Sequence, residues 1–419
     1  MIAHLLRRCI ISEDLLSPPA TNYSTNTWLE DAKSLTSQHL SAYLLALKNG
    51  QDDDRDQFAK IQETFRSLSG RRLDVTMERK AKKDVNFGSD DSSILITLIQ
   101  RDPNVSHSVP LAVSGSGLVE IAYLSAVLNS PNSHVILLDE PGRSLHPQAL
   151  IQLRCMLQQR ATEPTAPQML IITHSPYLVP PSMPHIVRRV RCIPPSGCTE
   201  ISSLNMPTSN NKKAQQDAWH RNLQRQDQWG RSPNWPALLF STVVLLVDGE
   251  TELGALPEWY QQIYNEPVEA LGGSVLSLSG KAQGGAAMLD LNNLDIPWVA
   301  LIDGDSLATG PGNGSGNIWG ELKKARRMNS QDANHFRSLP FTDQVQHLKE
   351  RNIFVMGKTT KDNFETVLIS ENPGVKLPTG FGESKVIKGR LWAQKVDCPP
   401  TIRKVFEKVC KVAKEGFKQ

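Results

Sequence analysis

Short apolar runs alternate with segments of mixed polarity along most of this chain. Runs at residues 135–138, 170–172, 243–247, 299–303 and 353–356 have the length of buried β-strands, and segments with helical spacing of apolar positions lie between them. Buried strands that alternate with helices are typical of a parallel sheet flanked by helices. The sequence therefore predicts an α/β fold.

The same pattern divides the chain into four parts. We predict a first α/β domain, a connector, a second α/β domain and a basic helical tail, at residues 1–206, 207–236, 237–380 and 381–419 respectively. The connector is rich in Asn, Gln and Arg. We expect it to be helical rather than disordered, because its tryptophans need an apolar surface to pack against.

Composition allows two domains and excludes some classes of protein. A chain of 419 residues is long enough for two separate cores, and 39% hydrophobic with 21% charged residues is typical of a globular protein. No apolar run approaches the ~20 residues that span a bilayer, so we expect no membrane partner. Six scattered cysteines without metal-site spacing indicate reduced thiols and an intracellular compartment, cytoplasmic or nuclear.

Basic residues crowd the C-terminal tail, although the net charge of the chain is only +3. From Lys385 to Lys418, lysine and arginine far outnumber aspartate and glutamate. Such a run is typical of a solvated helix face or, alternatively, of a surface that contacts a phosphate backbone.

An acidic pair follows the apolar run at residues 135–138. At the end of a buried strand, Asp139 is placed to hold Mg²⁺ and Glu140 to polarise an attacking water. The pair alone fits a buried strand with an acidic turn equally well. Two further features favour a nucleotide site. The first is His174, which follows the next strand. The second is a loop of small residues at the start of an apolar helix, where free N–H groups suit a phosphate. The loop consists of Ser114, Gly115, Ser116 and Gly117.

As a set, these motifs resemble the RecF-like and OLD-like ABC-type ATPases. The resemblance identifies the small-residue loop as the signature, Asp139 and Glu140 as Walker B, residues 144–146 as the D-loop and His174 as the switch histidine. It implies ATP as a ligand. It also implies a homodimer of ATPase heads, because the signature loop of this family contacts ATP that is held by the opposite subunit.

One part of the ATPase pattern is missing. The G-x-x-x-x-G-K-[ST] loop, or Walker A, should precede the signature because its amides and lysine hold the phosphates. Residues 1–113 contain no such pattern. Gly357, Lys358 and Thr359 lie in the other domain, and Asn352 stands where the first glycine belongs, so we interpret them as unrelated. We expect a partial ATPase head that binds ATP weakly. Truncation, splicing or decay would explain the missing loop.

A second set of carboxylates lies at the ends of two later strands. Asp248 and Glu252 follow the run at residues 243–247, and Asp303 and Asp305 end the run at residues 299–303. Oxygen ligands from two strand ends suit Mg²⁺ or Mn²⁺ rather than zinc, and such ions activate water for phosphodiester hydrolysis. A lone Asp-x-Asp is more often a solvated turn, but the upstream pair favours a metal site.

This constellation resembles a TOPRIM domain, and its position after an ABC half resembles the OLD-family nucleases. The resemblance implies DNA as substrate, a catalytic role for Asp248 and a further metal ligand at Glu365. It also implies a basic catalytic residue near the C-terminus, for which Lys388 is our choice and Lys385 the alternative. The family usually has Glu at the position of Asp248. We expect Asp248→Glu to restore the longer side chain that is usual in the family and so to place the carboxylate nearer the metal ion.

Three functions stay open at this point. The first is an OLD-like ATPase and metal-dependent DNA endonuclease, made of a partial ABC-type head and a TOPRIM-like domain. The second is a catalytically inactive relative that binds nucleic acid or dimerises. The third is a RecF- or SMC-like DNA-repair ATPase without nuclease activity, in which the second acidic cluster is incidental.

Overall fold

The computed structural model forms two compact units, Met1–Pro180 and Pro181–Gln419. It describes residues 9–12, 19–24, 28–33, 35–80, 93–102, 108–131, 134–164, 166–180, 186–193, 197–204, 235–278, 284–307, 318–319, 322, 328–375 and 384–415.

The first unit begins with short elements and then alternates helix and strand. Its described elements are β1 (Cys9–Ser12), β2 (Asn22–Ser24), α1 (Trp28–Asp31), α2 (Leu40–Asn49), α3 (Asp52–Ser69), β3 (Arg72–Lys80), β4 (Ser93–Arg101), β5 (Ser108–Pro110), α4 (Ser116–Leu128), β6 (Val135–Asp139), α5 (Pro147–Ala161) and β7 (Gln168–Ile172).

A parallel sheet in the order β1-β6-β7 positions the acidic pair of this unit. Strands β3, β4, β2 and β5 form a separate antiparallel sheet. Helix α4 is largely apolar and is buried from Val119 to Leu128, where it joins residues of α2, α3 and α5 in one core. Because β6 and β7 run parallel, their carboxyl ends meet at one edge of the sheet.

The second unit has more helices. Its described elements are β8 (Arg188–Ile193), β9 (Cys198–Ser203), α6 (Trp235–Leu238), β10 (Val243–Val247), α7 (Glu250–Tyr264), β11 (Gly273–Ser277), α8 (Gly284–Asn293), β12 (Trp298–Asp303), α9 (Ser330–Arg337), α10 (Phe341–Glu350), β13 (Ile353–Met356), α11 (Phe364–Glu371), α12 (Lys385–Ala393) and α13 (Pro400–Glu415).

A four-stranded parallel sheet, in the order β11-β10-β12-β13, forms the centre of this unit. Every residue of β10 and β13 is buried, as expected for parallel strands that are covered on both faces. Helices α7, α11, α12 and α13 cover one face, with large side chains such as Trp259, Phe364 and Trp392 in the core. This architecture confirms the predicted α/β fold with parallel sheets.

The unit boundary falls inside the segment that the sequence predicts as the first domain, residues 1–206. The hairpin β8–β9 belongs to the second unit, where Arg189 donates hydrogen bonds to the backbone carbonyls of Leu239 (3.0 Å) and Asp295 (2.8 Å). The connector predicted at residues 207–236 lies almost wholly outside the described residues.

The predicted C-terminal tail, residues 381–419, contributes two helices to the core of the second unit. Trp392 of α12 and Phe406 of α13 are fully buried there. Basic residues such as Lys404 and Lys411 lie on the exposed side of α13. Among the described helices, none combines the length and the apolar character that crossing a bilayer requires.

Candidate functional site

The ends of β10 and β12 bring two aspartates together. These strands are parallel neighbours, so Asp248, directly after β10, and Asp303, the last residue of β12, lie at the same sheet edge. The Asp248 carboxylate accepts hydrogen bonds from the Asp303 amide (3.0 Å) and from the Ser306 hydroxyl (2.8 Å). Asp248 is only 9% exposed. The two hydrogen bonds therefore fix the orientation of a buried carboxylate.

Glu252 adds a third carboxylate from the first turn of α7. Its side chain is only 3% exposed and folds back towards the amides at the start of this helix, close to Gly249. Burial and, to a smaller extent, the charges of Glu365 and Asp248 together raise the pKa of Glu252 to about 7, although hydrogen bonds from the backbone amides lower it. The glutamate therefore lies within electrostatic reach of both carboxylates.

Asp303 is the centre of the cluster. Burial and, in decreasing order, the negative charges of Glu252, Asp248, Asp305 and Glu365 together raise the pKa of Asp303 to about 8. The structure thus places the other four carboxylates that the sequence marked as metal ligands within electrostatic reach of Asp303.

Two helix starts hold the outer members of this group. The Glu365 carboxylate, in the first turn of α11, accepts a 2.6 Å hydrogen bond from the Thr251 hydroxyl of α7. The amide of Asp305 donates a 3.0 Å hydrogen bond to the carbonyl of Asp362. Gly304 allows this close approach, because a β-carbon there would collide with the Thr359 carbonyl oxygen.

The donor chemistry of this cluster fits a hard divalent cation. All its side chains offer oxygen, and burial together with mutual repulsion raises the pKa of both Glu252 and Asp303. Within the described ranges, no group of three His, Cys, Asp or Glu side chains is already arranged as a ligand set.

Helix α12, which carries Lys385 and Lys388, packs closely on the helix that carries Glu252. Gly254 and Gly389 make this crossing possible, because a β-carbon at either position would collide with a carbonyl oxygen, of Val386 or Thr251 respectively. Lys388 is half-buried next to this crossing, and Lys385 is exposed at the start of α12. The catalytic role of either lysine stays a prediction.

In the first unit, Glu140 has an unusual backbone conformation. It follows Asp139 at the end of β6 with φ +46°, in the left-handed region that residues other than glycine, asparagine and aspartate rarely adopt. Its amide donates a 2.9 Å hydrogen bond to Ile172 at the end of β7. Its Oε1 is buried without a hydrogen-bond partner among the described residues, 3.7 Å from Nε2 of the exposed His174. Backbone strain at a residue such as Glu140 is typical of a functional position.

The helix that follows the predicted signature loop contacts residues 142–144 through a residue that sequence reasoning missed. Gly117 in the first turn of α4 lies against the Ser144 carbonyl, 2.9 Å from where a β-carbon would be. The carboxylate of Glu120, fully buried on α4, accepts hydrogen bonds from the amides of Gly142 (2.7 Å) and Ser144 (3.0 Å). Burial nevertheless raises the pKa of Glu120. The available signal was a single charge in an otherwise apolar helix.

Two family models match the chain. The model described as "AAA domain, putative AbiEii toxin, Type IV TA system" matches residues 12–179. The model described as "Overcoming lysogenization defect protein-like, TOPRIM domain" matches residues 239–305, which include four of the five clustered carboxylates. No curated protein matches.

Similar solved structures include two C-terminal regions of OLD proteins. The Xanthomonas campestris pv. campestris region is 19% identical, with 42% of this chain and 97% of that chain covered and a TM-score of 0.30. The Burkholderia pseudomallei region is 17% identical, with 42% of this chain and 99% of that chain covered and a TM-score of 0.28. A Pyrococcus furiosus Smc head domain is 10% identical over 47% of this chain and 56% of that chain, with a TM-score of 0.27.

The family matches agree with the order of the motifs along the chain, nucleotide-type motifs first and clustered carboxylates second. The chain therefore combines an AAA-type ATPase domain with an OLD-like TOPRIM domain, which confirms the resemblance to the OLD family.

Proposed function

We propose that this chain is an OLD-like, metal-dependent endonuclease that hydrolyses DNA phosphodiester bonds at the carboxylate cluster of its second unit. The observation that carries this proposal is the convergence of Asp248, Glu252, Asp303 and Asp305 from two parallel strand ends and one helix start. TOPRIM domains in general use divalent metal ions, and the oxygen donors present here suit Mg²⁺ or Mn²⁺.

In this proposal the residues at the carboxylate cluster have separate roles. Asp248, whose carboxylate accepts from the Asp303 amide and the Ser306 hydroxyl, would be a metal ligand with a fixed orientation. Thr251 orients Glu365 as the outer ligand. When bound, a divalent cation would supply an activated water and stabilise the leaving oxygen. Lys388 approaches the phosphate from α12 and offsets its negative charge.

The first unit is proposed to act as the ATPase partner of the nuclease. Asp139 would hold the magnesium of ATP, Glu140 would act as general base, and His174 would contact the same nucleotide. The loop of residues 114–117 would reach ATP on a second copy of the chain, which makes a homodimer of heads the expected assembly. AAA domains in general use ATP.

We expect ATP binding by the chain alone to be weak, because residues 1–113 contain no Walker A pattern. Isothermal titration calorimetry with ATP and Mg²⁺ checks this expectation. Micromolar binding that Asp139→Ala abolishes would contradict it.

Two observations favour a second candidate, a relative that binds nucleic acid or dimerises without catalysis. The sequence lacks a Walker A pattern in residues 1–113 and has the shorter Asp248 where the family usually has Glu. Such a protein would bind DNA but would not nick it. A repair ATPase without a nuclease also predicts no nicking, but it would hydrolyse ATP.

Plasmid nicking with Mn²⁺ tests the proposal directly. We expect the parent chain to nick supercoiled DNA, EDTA to stop the reaction and Asp303→Ala to abolish it. Glu140→Gln should leave nicking without ATP largely intact, because Glu140 belongs to a different sheet. Equal nicking by Asp303→Ala and the parent would refute the assignment of the cluster as the nuclease site.

A further inference from the structure

An exposed basic loop lies beside the carboxylate cluster. Residues 357–362, here called the rim loop, connect β13 to the helix that carries Glu365, and read Gly-Lys-Thr-Thr-Lys-Asp. Residues 358–361 are all exposed. The loop therefore presents two lysines and two threonine hydroxyls to solvent at the edge of an acidic site.

Hydrogen bonds hold the rim loop in one conformation. The Asp362 carboxylate accepts from the amides of Lys358 (2.7 Å) and Thr359 (2.8 Å), and the Thr359 hydroxyl accepts from the amide of Lys361 (3.2 Å). The amide hydrogen bonds hold the pKa of Asp362 below its usual range. Gly357 has φ +101°, a conformation that glycine adopts readily, so the loop can turn tightly after β13.

The same hydrogen bonds exclude one function for this loop. In a phosphate-binding loop, free backbone amides and a lysine surround the phosphate. Here the amides of Lys358 and Thr359 already donate to Asp362. The Gly-Lys-Thr sequence is therefore not a nucleotide site. Any anion that the loop contacts must meet the side chains.

The rim loop is also attached to the nuclease cluster itself. The carbonyl of Asp362 accepts a 3.0 Å hydrogen bond from the amide of Asp305, and the Thr359 carbonyl lies against Gly304. The backbone of the loop is consequently joined to the backbone at Gly304 and Asp305. A phosphate backbone that approaches five carboxylates meets repulsion, which cations at the rim would offset.

We infer that Lys358 and Lys361 of the rim loop bind the phosphate backbone of duplex DNA next to the carboxylate cluster. This inference rests on the proposed nuclease function and adds to it the surface along which the substrate runs. The contact is with phosphates, so the loop positions DNA of any sequence rather than selecting a sequence.

The test measures binding of a short fluorescent DNA duplex in EDTA over a range of salt concentrations. The plot of log K against log salt has a negative slope, and each lost phosphate contact should reduce its magnitude by about 0.9. The double variant Lys358→Ala with Lys361→Ala should therefore reduce the magnitude by about 1.8. It should also weaken binding to all sequences alike. The double arginine variant should bind like the parent, because it keeps both charges.

Lys349→Ala is the matched control, because Lys349 is an exposed lysine at the end of α10, which precedes β13, whereas the rim loop follows β13. It should keep the parental slope. An unchanged slope in the alanine double variant, an equal loss in Lys349→Ala or absence of duplex binding by the parent would overturn the inference. Mn²⁺-dependent nicking by the parent is scored separately, so failure of the rim-loop contact is distinguishable from failure of the nuclease function.

Discussion

The backbone amide of Asp303 donates a 3.0 Å hydrogen bond to the carboxylate of Asp248. This bond joins the ends of two parallel strands that are 55 residues apart in sequence. The first carboxylate of the cluster is therefore positioned by the backbone that carries the second, and the Ser306 hydroxyl supports it from the turn after β12.

This relationship leads us to predict the opposite of one expectation from the sequence, that Asp248→Glu would restore a better reach. A longer side chain at this buried position would overrun the Asp303 amide and the Ser306 hydroxyl. We predict that Asp248→Glu lowers the free energy of unfolding by about 1–3 kcal/mol and lowers Mn²⁺-dependent nicking. Denaturant unfolding measures the first effect, with Asp248→Asn as the control of unchanged length. Higher stability and faster nicking in Asp248→Glu would contradict this explanation.

The carboxylate cluster should make stability depend on pH and on metal. Folding raises the pKa of Asp303 from 3.8 to about 8 and that of Glu252 from 4.5 to about 7. Both carboxyls are protonated in folded and unfolded chains at low pH. As pH rises from about 4 to about 8, the unfolded chain loses these protons first, so stability falls across this window.

A divalent cation offsets this loss because it compensates the ionised carboxylates. We predict that Mn²⁺ raises the melting temperature clearly at about pH 8 and little at about pH 5. Asp303→Asn should flatten the pH dependence. Thermal melts with Mn²⁺ or EDTA measure both effects, and an equal Mn²⁺ effect at the two pH values would speak against the cluster as the binding site.

The left-handed backbone of Glu140 should cost stability. Asparagine tolerates this conformation better than glutamine, and both amides remove the charge. We predict that Glu140→Asn is more stable than Glu140→Gln by about 0.5–1 kcal/mol, with both variants unable to hydrolyse ATP. Melting temperatures of the two variants decide this, since a lower value for Glu140→Asn would show that the φ of +46° is not strained.

The sequence predicted the parallel strands and the acidic residues at their ends for a physical reason. Parallel strands read as short apolar runs, and their carboxyl ends must meet at one edge, so acidic residues that follow β10 and β12 converge without further information. Glu365 and Lys388 could be selected only through the family resemblance, because nothing in their local pattern marks them.

Other features depend on contacts between residues distant in sequence, which a local pattern does not encode. The carboxylate of Glu120 holds the loop at residues 142–144, more than twenty positions away. The left-handed φ of Glu140 arises where β6 and β7 meet. The engagement of the rim-loop amides by Asp362 likewise became visible only in the structure.

The most direct test of the central claim is Mn²⁺ binding, followed by electron paramagnetic resonance. The account predicts that the parent chain binds Mn²⁺ and that Asp303→Asn combined with Asp305→Asn loses this binding. Asp332→Asn, a change at an exposed aspartate of α9, should bind Mn²⁺ as the parent does. Parental Mn²⁺ binding by the Asp303 and Asp305 double variant would contradict the assignment of the strand-end carboxylates as the metal site.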